Sequence, residues 1–87
     1  MQRAFDALVV ELRRVAGVAS DAPDPTTVSR VRVEHRAWLS VRTGECQRQP
    51  SAEDGPFWAP AHAACYSEMA TARTSELQDA VRRLRRR

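Results

Sequence analysis

Few residues in this chain have side chains suited to bond-making chemistry or metal capture. Two cysteines, Cys46 and Cys65, and two histidines, His35 and His62, supply all of its thiol and imidazole ligands. His62 and Cys65 stand at i and i+3, one face of a helix, and with His35 and Cys46 they make up the donor types of a structural zinc site. Spacing argues against that reading. Eleven residues separate His35 from Cys46, about 16 Å along a helix at 1.5 Å per residue, so one ion cannot reach both. A Cys–His nucleophilic pair would require a free thiol, an orienting third group and an oxyanion site, and the last two cannot be named. The sequence is therefore read as non-enzymatic, with no catalytic residue, metal or cofactor. For the cysteines, the even count in so short a chain leaves two readings open: a bridge formed in an oxidising compartment, or two buried thiols in a reducing one.

Charge is the next resource. The net charge of +3 conceals an uneven distribution: residues up to Val81 hold nine Arg and eleven acids, and Arg82, Arg83, Arg85, Arg86 and Arg87 follow together. A slightly acidic body with a basic tail does not fit a nucleic-acid binder that spreads cations over a folded face, so no nucleic-acid partner is expected. The tail at 82–87 reads as a solvated helix end whose cations suit the helix dipole. A second concentration lies between the cysteines, where Glu53, Asp54, Phe57 and Trp58 fall within six residues. Acids and aromatics so displayed could enter the cleft of a basic partner, or the two aromatics could plug the open end of a helix bundle.

The elements that must position these groups are helical. Phe5, Leu8, Leu12 and Val15 recur at three- and four-residue steps with Asp6, Glu11, Arg13 and Arg14 between them, which predicts an amphipathic helix over about 3–17, ending at Gly17. Asp21, Pro23, Asp24 and Pro25 break it, with Asp24 expected to cap the next helix and Pro25 to occupy its first position. Over about 26–45 the stripe is Val28, Val31, His35, Trp38, Arg42 and Cys46, and Gly44 is expected to let the last turn fray. Pro50, Gly55, Pro56 and Pro60 make 47–60 a loop. A third helix over about 58–84 carries Cys65, Met69, Arg73, Leu77, Ala80 and Leu84 on one side. No run is long and apolar enough to span a bilayer, and no secretory leader follows Met1, so an exported protein would have its leader outside this chain.

Residues 35–46 read His-Arg-Ala-Trp-Leu-Ser-Val-Arg-Thr-Gly-Glu-Cys, which resembles the Gln-x-x-Trp-x-x-x-Arg-x-x-x-Cys motif of the bacterial envelope family named after the lysozyme inhibitor LprI. Trp38, Arg42 and Cys46 match in spacing, Gly55, Cys65, Arg73 and Leu77 follow in the second half, and the resemblance covers about Val28 to Leu84. His35 replaces the usual Gln, Val41 a common aromatic, and Ala70 a Thr that appears instead as Thr71. The N-terminal cysteine pair common in the family is missing, so helix one falls outside the resemblance and the chain looks like a shortened member.

The resemblance implies a Cys46–Cys65 disulfide, which with the three helices read from periodicity gives an all-α, three-helix antiparallel bundle with helices two and three bridged. The length of 87 residues fits a single helical domain over 1–87, with 28–84 the family-like part. Bonded cysteines fix a register in which Arg42 lies near Met69, Trp38 near Arg73 and Val31 near Ala80. On that reading Trp38, Arg42, Arg73 and Leu77 form a packing seam, each Arg laying its stem on the core and satisfying its head with acids or carbonyls, the alternative for Trp38, Arg42 and Arg73 being an exposed ligand-binding cluster. The implied function is a periplasmic, envelope or secreted protein that binds another protein, in the first instance a lysozyme, through Glu53, Asp54, Phe57 and Trp58. The alternative is an assembly module that packs against another envelope protein or itself.

Overall fold

Helix α1 (Gln2–Ala16) stops where Gly17 enters the left-handed region at φ 70°. A side chain would be strained there, and the turn lets Gly17 N–H donate to the Arg14 carbonyl (3.1 Å) and Val18 N–H to that of Arg13 (3.3 Å), which satisfies two orphan acceptors of the helix end. The chain, for which this is a computed structural model, is described over residues 1–47 and 58–86, and over 58–62 by its backbone alone. Helices α2 (Thr26–Gln47) and α3 (Trp58–Arg85) complete the described elements, which include no strand. Among the described residues no helix is long and apolar enough to cross a membrane.

The turn between α1 and α2 is organised by Arg13. Its guanidinium donates to the carbonyls of Ala19 (2.6 Å) and Ala22 (2.9 Å) and to Asp24 Oδ1 (2.9 Å), while Asp24 Oδ2 accepts from Arg32 Nε (2.9 Å). Asp24 therefore bridges two arginines instead of capping α2, and Pro25 stands one place before the first helical residue, its carbonyl accepting from Val28 and Ser29. Gly44 does not fray α2, which continues to Gln47 because fully buried Cys46 anchors its last turn.

The helices run up, down and up. Arg3 and Ala4 share a groove with Gln78, and Glu11 pairs with Arg85, so α1 is parallel to α3, with α2 antiparallel to both. Phe5, Leu8, Val9, Val28, Leu77 and Val81 form the core, with Leu12, Val31, Ala80 and Leu84 packed around it. This core occupies only the end of the molecule where all three helices overlap. At 1.5 Å per residue α1, with 15 residues, is about 22 Å long and α3, with 28, about 42 Å. Beyond Phe5 the α2–α3 pair continues as a two-helix hairpin, which gives the molecule its 52 × 23 × 15 Å extents.

Two expectations for α1 are corrected by this packing. Val15 is 40% exposed, whereas Val9 and Glu11 are buried, because α1 meets α3 and α2 on adjoining faces and the covered arc is wider than one stripe. Buried Glu11 is satisfied by Arg14 Nε at 2.7 Å and Arg85 Nε at 3.2 Å. Hydrogen bonding from Arg14, then the charge and hydrogen bond of Arg85, hold its carboxyl below the ordinary value against the opposing effect of burial.

Candidate functional site

Cys46 on the last turn of α2 and Cys65 on the second turn of α3 are joined by a disulfide with Cα atoms 5.5 Å apart. Both sulfurs are consumed, so neither is a thiolate for zinc or for nucleophilic attack. The bridge sets the register of the hairpin. Trp38 meets Arg73 as the spacing predicts, the guanidinium carbon lying 5.5 Å from the ring centroid, and Val31 and Ala80 line one groove. Met69 lies against the Cys46 sulfur at 3.8 Å, and Arg42 spreads over two rings, Trp38 at 5.3 Å and Tyr66 at 5.1 Å.

The arginine heads are held differently from the expectation. Arg73 does reach an acid, Glu76, at 3.2 Å, but the Nε atoms of Arg42 and Arg73 are buried with no hydrogen-bond partner among the described residues. Aromatic faces supply much of the compensation: the negative face of each ring attracts the cation, by roughly 0.5–2 kcal/mol per contact depending on desolvation. Trp38 itself is half-buried, one turn beyond His35, where Phe5 on the first turns of α1 packs.

His35 extends the stack toward the core. Its ring lies 4.3 Å from Phe5 at 15° and 6.1 Å from Trp38 at 7°, and its Nδ1 is buried without a partner among the described residues. Burial first, then the charges of Arg73 and Arg42, push its pKa below 6.5, so the imidazole is neutral at neutral pH. The column Phe5, His35, Trp38, Arg42, Tyr66 thus runs from the apolar core to the bridge. Sequence reasoning omitted Tyr66 and Phe5 from it. Tyr66 was findable, because Tyr66, Met69 and Arg73 follow one another at three- and four-residue steps.

Glu53, Asp54 and Phe57 lie outside the described residues, as do the side chains of Trp58 and His62. The geometry fixes where that segment is attached: it leaves α2 and enters α3 on either side of the bridge. No curated protein and no solved structure matches the chain. The family model described as Lysozyme inhibitor LprI matches residues 1–77, which takes in α1, left out by the motif resemblance, and ends at Leu77 instead of Leu84. With the match running through α1, α2 and most of α3, the chain belongs to the LprI lysozyme-inhibitor family.

Proposed function

We propose that the protein is a non-enzymatic inhibitor of lysozyme, acting in the bacterial envelope or outside the cell, and that it grips its target through the segment between its cysteines. The observation that carries this reading is the 5.5 Å separation of Cys46 and Cys65, which ties together the two ends of a stretch containing Glu53, Asp54, Phe57 and Trp58. A segment anchored at both ends loses less entropy on binding. Its acids suit a basic target such as an animal-type lysozyme, and its aromatics are the residue types that anchor interfaces. Family membership and a bridge that favours an oxidising compartment support the same reading.

The test is inhibition of cell-wall lysis by several lysozymes, using oxidised protein. Glu53→Ala with Asp54→Ala should slow association and weaken its salt dependence, whereas Trp58→Ala should speed dissociation with the salt dependence retained. If all three changes leave inhibition of a responsive lysozyme untouched, the contact surface is on the helices. A second reading, assembly with another envelope protein or a second copy, is favoured by Val33 (58% exposed) and Val41 (55%), which with Ala37 form an i, i+4, i+8 stripe on the outside of α2. Absence of inhibition at micromolar concentration, together with a dimer in sedimentation that Val41→Glu dissociates, would favour it.

A further inference from the structure

The parallel course of α1 and α3 gathers cations at the end of the molecule opposite the bridge. Arg82, Arg83, Arg85 and Arg86 close α3, and at about 100° per residue they span roughly 160° of its circumference, on the side away from Leu77, Val81 and Leu84. α1 adds two more. Arg3 borders a groove of about 380 Å³ together with Arg82 and Arg85, floored by Ala4, Ala7 and Val81, and Arg14 donates to the Leu84 carbonyl at 3.2 Å. Glu11 and Asp79 neutralise part of this charge through Arg14, Arg85 and Arg82. Arg3, Arg83 and Arg86 are exposed and have no acidic partner among the described residues.

We infer that this basic cap docks the protein on an anionic phospholipid surface. The four arginines on the outer arc lie together within a Debye length of a surface they touch, and each of the two that no acid offsets, Arg83 and Arg86, contributes about fivefold in partitioning to an anionic leaflet. In the groove between Arg3 and Arg85, Ala4, Ala7 and Val81 give arginine stems a place to lie while their heads meet headgroup phosphates. Nucleic acid fits less well. The cap presents no aromatic side chain for stacking bases, and the disulfide favours a compartment outside the cytosol. Cys65 and Arg83 are 18 residues apart, about 27 Å along α3, so a docked molecule points its bridged end away from the surface. This inference does not depend on the inhibitory reading.

The test is co-sedimentation of the full oxidised chain with vesicles of phosphatidylcholine alone and of phosphatidylcholine with phosphatidylglycerol. Binding is expected only to the anionic vesicles, falling as salt rises. Arg83→Gln with Arg86→Gln should weaken it about thirtyfold without lowering the melting temperature, since both side chains are exposed. Restoring the net charge at the other end, with Ser67→Arg and Glu68→Gln in that background, should not restore binding. Rescue by those two changes would mean that net charge alone is being read and would overturn the cap. Displacement from vesicles by duplex DNA at equal phosphate concentration, or equal binding to uncharged vesicles, would overturn the phospholipid assignment.

Discussion

Opening the Cys46–Cys65 bridge should divide the molecule into a part that stays folded and a part that does not. The cysteines are 19 residues apart, for which the loop-closure relation gives about 3 kcal/mol of stabilisation through the unfolded chain. Against a total of about 5–15 kcal/mol for a domain of this size, that is a fifth to well over half. At about 4–8 °C per kcal/mol, the melting temperature should fall by about 12–25 °C. The loss should be local first. Among the described residues, the six of the core all lie where α1 overlaps the other helices, whereas the bridged end holds one fully buried residue, Cys46, and the half-buried Trp38, Arg42, Tyr66 and Met69. Thermal melts by circular dichroism, with and without reductant and on the Cys46→Ser, Cys65→Ser double variant, give the magnitude. Hydrogen exchange gives the location: amides of 39–47 and 65–70 should lose protection before those of 5–12. Equal melting of oxidised and reduced protein would refute the energetic argument, and equal exchange at both ends would refute the partition.

Trp38→Ala should cost roughly 2–3 kcal/mol, below the 3–5 typical of a fully buried large ring because Trp38 is half-buried, and chemical denaturation yielding less than about 1 kcal/mol would show that the cation–π contacts contribute little. His35 binds a proton more weakly folded than unfolded, under the charges of Arg42 and Arg73 from α2 and α3 and with Arg32 and Arg36 beside the groove it shares with Phe5 on α1. Stability is therefore fully present above pH 6.5 and falls as pH drops from there toward the lowered folded value. Melting curves of His35→Gln should lack this step, and an unchanged step would assign it elsewhere. Glu11 has the opposite chemistry with the same sign of slope: its contribution is present above 4.5 and is lost as pH falls through the lowered folded value, so Glu11→Gln should flatten the melting profile in that more acidic window only.

The helices were legible because their boundaries are written in local chemistry. Gly17 and the Asp21–Pro25 cluster end and restart the chain where turn formers must, and the stripes on α2 and α3 keep helical periodicity from Val28 to Cys46 and from Cys65 to Leu84. What could not be read was set by distant partners. Glu11 looks like a solvent-facing acid until Arg85, 74 residues away, arrives beside it. Asp24 has the residue type of a helix cap, yet two arginines outcompete the backbone for its oxygens. The bridge and the Trp38–Arg73 contact followed from the family-like spacing and an antiparallel register. The orientation of Arg42 toward Tyr66 depends on rotamers that spacing does not encode.

The residues that mark the family are thus chiefly seam residues, and this bears on where target recognition can reside. Among the described residues the bridged end is held by a covalent link and by guanidinium–ring contacts between α2 and α3. The disulfide constrains Cys46 and Cys65, and the ring contacts constrain Trp38, Arg42, Tyr66 and Arg73. A change at Trp38 or Cys46 is therefore felt by the whole hairpin. If the target is met by the segment between the cysteines, as proposed, seam substitutions should reduce inhibition only as far as they unfold the hairpin.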